Sequence, residues 1–210
     1  PLFGSAPEDE EVGRIVRGAV EDIRSLGAGV VEIPFPRLEE ALRDTSVINA
    51  EFKFDLQDFF AKYPSSPMKT LGDILLSGKY SPAVESVLKR ANEATARDTE
   101  SYRLALSRRE QAKQAVLEVM GQNNITAFAY PTLRRKPAPI GQAQGGSNCQ
   151  LSATTGFPAL SMPAGFTADV WGTNEMWRWA VVRVSGWPKT RSAPARAGKM
   201  PANAFSSVVL

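Results

Sequence analysis

The chain has 210 residues, of which 43% are hydrophobic and 22% are charged. These proportions are typical of a globular protein and exclude whole-chain disorder and fibrous repeats. No run of about 18 uninterrupted apolar residues occurs, so the sequence offers no candidate membrane-spanning helix. The single cysteine, Cys149, excludes an intrachain disulfide, and the lack of histidine excludes Ser-His-Asp catalysis, Cys-His catalysis and imidazole metal sites.

The net charge of +3 is unevenly distributed along the chain. Residues 170–210 hold six basic side chains, one acidic side chain and all four tryptophans, so this segment carries +5 and the rest of the chain −2. We expect residues 170–210 to form a divergent, poorly ordered basic tail. The less favoured alternative is that its cations and aromatic rings bind a nucleic acid. The first residues contain no secretory signal, so we expect a cytoplasmic protein.

The first half of the chain is predicted to be mainly helical. Residues 8–26 carry an apolar stripe at helical spacing, with acidic residues in the first turn and Gly27 as the stop signal. Residues 30–33 read as a short strand, and residues 37–62 as one long helix. A short helix beginning at Thr70 ends at Gly78, and a helical pattern then runs from Ser81 to about residue 120, either unbroken or with a break at residues 94–98.

The second half is predicted to contain two further strands. Residues 125–130 form an apolar run that ends at a proline, and residues 157–163 form another. A short helix is expected between them, over residues 147–155. Because helices and short apolar strands alternate along the chain, the predicted fold class is α/β.

The segment 145–149, Gly-Gly-Ser-Asn-Cys, is the best candidate for a functional loop. It is a structural junction between loop and helix, a loop that presents backbone amides to a ligand, or a loop that carries a nucleophilic Ser147. A nucleophile needs a base, and the spacing nominates none, although Lys136 lies in the preceding loop. We expect Cys149 to be a small buried hydrophobe.

Two charged clusters have simple structural explanations. The acidic residues 8–11 suit the positive end of a helix dipole better than a metal site. The basic residues 134–136 are expected to be a solvated loop rather than a phosphate-binding site.

Three segments resemble the C-terminal part of the amidase signature family of hydrolases. They are residues 1–13, which run into the first helix, residues 125–132 (Ile-Thr-Ala-Phe-Ala-Tyr-Pro-Thr) and residues 148–166, where Asn148 precedes Gly-Phe-Pro-Ala and Pro-Ala-Gly. The resemblance covers residues 1–169, which we interpret as the C-terminal portion of an amidase domain. It implies a partial mixed-sheet amidase signature fold with flanking helices. It also implies hydrolysis of carboxamide C–N bonds by a Lys–Ser–Ser triad, without a cofactor or metal.

The chain departs from the family in two respects. The triad lysine and the Gly/Ser-rich oxyanion loop belong to the family's N-terminal half, and neither pattern occurs in this sequence. We therefore predict a fragment that is inactive on its own and assign no catalytic residue. From residue 170 onward the family pattern is lost, and a change of reading frame or splicing near Asp169 is our hypothesis for this shift.

By the same resemblance, part of the chain approaches the pocket for a small-molecule amide substrate. The implied pocket residues are Tyr130, Thr132, Ile140, Gly145, Gly146, Ser147 and Asn148. The alternative function is a non-catalytic binding or assembly partner that associates through exposed sheet edges.

Overall fold

The computed structural model describes residues 2–35, 37–139 and 141–167, together with the backbone of residues 176–183 and 208–209. The chain forms two compact units. We call the first, Pro1–Leu42 with Ala112–Leu210, the sheet unit, and the second, Arg43–Gln111, the helical unit.

The described part of the chain contains the following helices and strands. The helices are α1 (Glu10–Ser25), α2 (Leu38–Ala41), α3 (Ile48–Lys62), α4 (Leu71–Ser77), α5 (Glu85–Asn92), α6 (Glu100–Gln122) and α7 (Gln150–Thr155). The strands are β1 (Val30–Val31), β2 (Ala127–Pro131), β3 (Ala159–Phe166), β4 (Met176–Arg183) and β5 (Val208–Val209). Short 3₁₀ turns precede α1 and α5.

The five described strands form one mixed sheet in the order β1-β5-β2-β4-β3. Strand β5 runs parallel to β1 and β2, whereas β4 runs antiparallel to β2 and β3. The described chain thus combines helices with a mixed sheet, which agrees with the predicted α/β class at a coarse level. No helix or strand is predicted beyond residue 169, but residues 176–183 form β4. This stretch is rich in the aromatic and β-branched residues that favour strands. Most of the predicted tail lies outside the described residues.

Helix α1 packs on the sheet through the stripe that its spacing predicts. Val12, Val16 and Val20 are buried and form a cluster with Ala129 of β2. Gly27 follows the helix with a φ of +96°, a left-handed conformation that glycine adopts without strain. The predicted helix over residues 8–26 is confirmed.

A second and larger core cluster joins the end of α6 to β2 and α7. Its buried members are Phe35, Leu38, Leu42, Ala112, Val116, Met120, Ile125, Phe128, Tyr130 and Leu151. Strand β2 is buried along its whole length, so it is the central structural element of the sheet unit.

Two of the predicted helices are interrupted. The prediction of one helix over residues 37–62 is wrong, because α2 ends at Ala41 and α3 begins at Ile48. Between them Asp44 has a φ of +54°, which a right-handed helix cannot accommodate, and Leu42 is held in the sheet-unit core. For residues 81–120 the alternative with a break is confirmed, since α5 ends at Asn92 and α6 begins at Glu100.

The helical unit depends on polar contacts as well as on a few buried side chains. Lys53 donates from Nζ to the carbonyl oxygens of Asn92 (2.9 Å) and Ala94 (2.8 Å), which ties α3 to the end of α5. The Tyr102 hydroxyl of α6 donates to Glu51 of α3 at 2.7 Å. None of the helices in the described residues is long and apolar enough to cross a membrane.

Helix α4 begins with the predicted capping box. The Asp73 backbone N–H donates to Thr70 Oγ1 (3.1 Å), and the Asp73 carboxylate accepts from the Thr70 backbone N–H (2.9 Å). Gly78 closes the helix in the left-handed conformation, with a φ of +64°.

Replacing Thr70 with alanine removes the acceptor for one otherwise unpaired N–H of the first helical turn. We expect Thr70→Ala to lower the free energy of unfolding by about 1 kcal/mol in urea titrations. Thr95→Ala is the matched control, because Thr95 is an exposed threonine outside any helix. Equal losses from the two substitutions would contradict a capping role for Thr70.

Candidate functional site

The predicted pocket residues cluster around the end of β2 and the loop that returns to α7. The loop leaves β2 at Thr132 and comes back through an isolated antiparallel bridge between Leu133 and Ser147. The Arg134 N–H donates to the Gly146 carbonyl at 2.8 Å and narrows the base of the loop. The structure therefore brings Thr132, Gly145, Gly146, Ser147 and Asn148 close to one another. Ile140, another predicted pocket residue, lies outside the described residues.

Asn148 connects three segments of the chain at the centre of this region. Its Nδ2 donates to the carbonyl oxygens of Leu2 (2.6 Å) and Pro131 (2.7 Å), and its backbone N–H donates to the Thr132 carbonyl (3.1 Å). Asn148 is buried, so these carbonyls receive hydrogen bonds where water has little access. Both hydrogens of the side-chain amide are used, and Asn148 acts as a structural clamp on the end of β2.

Tyr130 lies beneath the loop and is almost completely buried. Burial raises the pKa of its phenol well above the usual value, and the nearby Cys149 thiol group raises it further. Because Tyr130 is buried, it does not line an open surface.

Ser147 and Cys149 lie on the outer side of the same turn. The Ser147 hydroxyl donates to Cys149 Sγ at 3.2 Å. Cys149 is exposed, so the expectation that it is buried is wrong. The buried position in this turn is taken by Asn148, and the next residue consequently points to solvent.

The basic segment approaches both glycines of the turn closely, and glycine is required at Gly146. Gly146 has a φ of +74°, and a Cβ there would lie 3.1 Å from Arg135 Cγ and 3.2 Å from Arg134 Cβ. A Cβ on Gly145 would lie 3.3 Å from an Arg135 guanidinium nitrogen. Any side chain at Gly146 would therefore strain the turn and displace the arginines.

Arg135 and Lys136 of the basic segment are paired with acidic residues at the start of α1, and residues 134–136 are only partly exposed, which differs from the expected solvated loop. Arg135 Nε lies 2.8 Å from the buried Asp9 carboxylate, and Lys136 Nζ lies 2.7 Å from Glu11 Oε2. The acidic residues thus have an ion-pairing role in addition to their position at a helix N-terminus. In the sequence, the only signal for this contact is that residues 8–11 are acidic and residues 134–136 are basic.

Asp9 also organises the segment that precedes α1. Its carboxylate accepts from the Ala6 N–H at 3.3 Å and lies directly against the Cα of Gly4. Burial by itself would raise the pKa of Asp9, but the hydrogen bonds from Arg135 and Ala6 and the charge of Arg134 together lower it below the usual value. Asp9 and Arg135 are the two residues of this region that sequence reasoning missed.

A row of hydroxyl groups lies at the surface of the candidate site. Thr132 Oγ1 is 3.4 Å from Ser161 Oγ of β3, and Ser147 is exposed on the other side of the loop. In the described part of the chain, Ser147 Oγ hydrogen-bonds within its own turn, and Lys136 is engaged by Glu11. The described residues contain no group of three or more His, Cys, Asp or Glu side chains that could hold a metal ion.

Comparison with known proteins shows a likeness at the level of the fold. No protein-family model and no curated protein sequence matches the chain. Among solved structures it is similar to the peptide amidase of Stenotrophomonas maltophilia, with a TM-score of 0.65 and 19% sequence identity. The match covers 82% of this chain and 36% of the amidase chain, so the chain spans roughly a third of the length of that structure. The likeness shows that the two chains share a fold.

Replacing Asn148 with alanine leaves the Leu2 and Pro131 carbonyls without their donors. We expect Asn148→Ala to lower the free energy of unfolding by about 2 to 3 kcal/mol in urea titrations. Asn123→Ala is the control, because the Asn123 amide also donates to a carbonyl, that of Val119, but is exposed. We expect it to cost less than about 0.5 kcal/mol. Similar losses from both variants would show that Asn148 is not a clamp.

The Asp9–Arg135 pair makes stability depend on pH in acid. Because the pKa of Asp9 is lower in the folded chain than in the unfolded chain, its ionised carboxylate stabilises the fold above the unfolded pKa. That contribution falls as the pH drops below about 4 and through the folded pKa. The wild type should therefore be more stable than Asp9→Asn at pH 5, and the difference between their free energies of unfolding should be smaller at pH 3.

A double-mutant cycle with Asp9→Asn and Arg135→Gln measures the coupling of this pair directly. The exposed pair Glu21 and Arg24 on α1, studied as Glu21→Gln with Arg24→Gln, is the control. We expect stronger coupling for Asp9 and Arg135, because the Asp9 carboxylate is buried whereas both side chains of the control pair are exposed. Equal coupling in the two cycles, or a pH-independent difference for Asp9→Asn, would contradict this assignment.

Proposed function

We propose that the chain is the C-terminal part of an amidase-type hydrolase that acts on carboxamide C–N bonds. The observation that carries the proposal is the fold likeness to peptide amidase, which extends over 82% of the chain. The matching segments of the sequence, residues 1–13, 125–132 and 148–166, support it independently because they resemble the amidase signature family. The cytoplasm as its location and a small-molecule amide as its partner belong to the same proposal.

In this proposal the end of β2 and the turn before α7 form one wall of the acyl pocket. Thr132, Gly145, Gly146 and Ser147 reach the surface and are the residues that contact the substrate. Tyr130 and Asn148 are buried and hold this wall in place. Ile140, which lies outside the described residues, is the remaining residue that this proposal assigns to the pocket.

The chain supplies no catalytic triad in this proposal. Amide hydrolysis without histidine needs a nucleophilic hydroxyl and a base such as lysine within hydrogen-bond distance. Ser147 donates to a thiol, and Lys136 forms an ion pair with Glu11, so neither is arranged for proton transfer with the other. The triad and the oxyanion loop come from a segment that the 210 residues do not contain.

A second candidate is a non-catalytic assembly partner. Strand β3 is at the edge of the described sheet, and its Leu160 and Phe166 side chains are 58% and 59% exposed. An exposed edge strand with large apolar residues favours pairing with another chain. This function requires that the chain binds a partner while contributing nothing to hydrolysis.

The first test is ammonia release from a panel of simple carboxamides by the purified 210-residue chain. We expect no release above background from a chain that circular dichroism shows to be folded, because the nucleophile, base and oxyanion loop are absent. Release above background would overturn the assignment of the triad to another segment. Ser147→Ala and Lys136→Ala would then identify the groups responsible.

The second test concerns the coding sequence upstream of Pro1 in the gene. We expect it to encode a lysine and a Gly/Ser-rich segment in the same reading frame, and the joined protein to release ammonia from carboxamides. A Lys→Ala change in that upstream segment should abolish release. An upstream sequence without these features, or a joined protein that is folded and inactive, would contradict the amidase proposal and leave the assembly partner as the better function.

A further inference from the structure

Helix α3 of the helical unit and Tyr63, the residue that directly follows it, carry a stripe of large apolar side chains that are exposed. Ile48, Phe52, Phe59 and Tyr63 are 59%, 37%, 52% and 54% exposed. Since successive residues of an α-helix are about 100° apart, these four positions fall within an arc of about 60° on one side of the helix. We call this set the α3 stripe. An apolar surface of this kind is typical of an interaction site.

The α3 stripe has a fixed orientation. Glu51 and Lys53 lie on opposite flanks of the stripe, and their side chains make the hydrogen bonds that hold α3 to α6 and α5. Within the stripe the ring centroids of Phe59 and Tyr63 are 4.8 Å apart, and Phe59 also contacts the ring of Phe60 at 5.8 Å. Aromatic side chains that are already packed against one another lose little freedom on binding, which suits them to the centre of an interface.

The charges beside the stripe indicate what covers it. Asp55 and Lys62 lie on the same flank of the stripe, one on each side of Phe59 along the helix. Suppose that two copies of α3 pack antiparallel, related by a two-fold axis at Phe59. Asp55 of one copy is then offset from Lys62 of the other by only one residue, or about 1.5 Å along the helix axis. The same axis generates the reciprocal pair. In a parallel pairing the charged flanks would lie on opposite sides of the interface, and the two charges would not meet.

We propose that the α3 stripe is the interface of a homodimer, in which two copies of α3 pack antiparallel across a two-fold axis at Phe59. The occupant of each stripe is the stripe of a second copy of this chain. The stripe supplies the apolar contact, and two symmetric Asp55–Lys62 pairs select the antiparallel orientation. This interface belongs to the helical unit and does not depend on the proposed amidase function.

Sedimentation of the 210-residue chain from about 1 to 100 μM tests the proposal. We expect the mass to rise with concentration towards twice the monomer mass of 22.8 kDa. Asp55→Lys and Lys62→Asp should each weaken self-association about tenfold, because each places two pairs of like charges in contact. The double variant, and an equimolar mixture of the two single variants, should recover association, since opposite charges then face each other in both pairs.

Asp58→Lys is the matched control for Asp55→Lys. Arg97 forms ion pairs with both carboxylates, at 2.8 Å to Asp55 and 2.9 Å to Asp58, so each substitution removes one contact of the same guanidinium. Asp58 lies about 60° further around the helix from the α3 stripe than Asp55 does. We therefore expect its reversal to leave the dimer unchanged. Circular dichroism of every variant shows whether it is folded.

Three results would overturn the proposal. The first is a folded chain that stays monomeric over the whole concentration range. If that monomer co-sediments with phosphatidylcholine vesicles, the stripe binds a lipid surface and the dimer proposal is also overturned. The second is a dimer that neither Phe59→Ser nor the single charge reversals weaken, because that dimer would use another surface. The third is a mixture of the two single variants that associates no better than either variant alone.

Discussion

The side-chain amide of Asn148 holds the candidate site together, because its two hydrogen bonds join parts of the chain that are far apart in sequence. One goes to Leu2 near the start of the described chain, and the other to Pro131 at the end of β2. The turn that contains Asn148 also leads directly into α7. Asn148 is therefore the buried residue that joins the loop to the central strand.

The Asp9–Arg135 ion pair acts on the same loop from its other end. Asp9 fixes the segment before α1 through Ala6 and Gly4, while Arg135 packs against the Gly145 and Gly146 backbone. A buried carboxylate is stable only when it is paired and hydrogen-bonded, which explains why its partners converge so closely. The clamp and the ion pair together attach the loop to the central strand and to the start of α1.

The two units bury their apolar residues to different extents. Both core clusters of the described residues belong to the sheet unit and surround β2. In the helical unit few apolar side chains are buried, and α3 has none. The sheet unit is thus suited to support the proposed pocket, whereas the helical unit presents apolar surface that a second chain can cover. This contrast is the physical basis for assigning the two proposed roles to different units.

The sequence by itself determined the elements whose signals are local. The apolar spacing of α1, the Thr70 capping box, the glycine at the end of α4 and the apolar run of β2 each lie within one segment, and the structure has them all. The α/β class followed from the alternation of such segments. The family resemblance also drew attention to residues 130–148, although it gave no indication that Asn148 and Tyr130 are buried supports.

Only the tertiary structure decided which distant segments meet. It ended the predicted helix at Ala41, because Leu42 belongs to one core and the residues after it to another unit. It paired the acidic start of α1 with the basic loop, turned Cys149 outward, and left Phe52 and Phe59 of α3 exposed. Periodicity along a chain reports which face of an element is apolar. It does not report which partner that face or a charge will contact, because contacts between distant residues are selected by the packing of the whole fold.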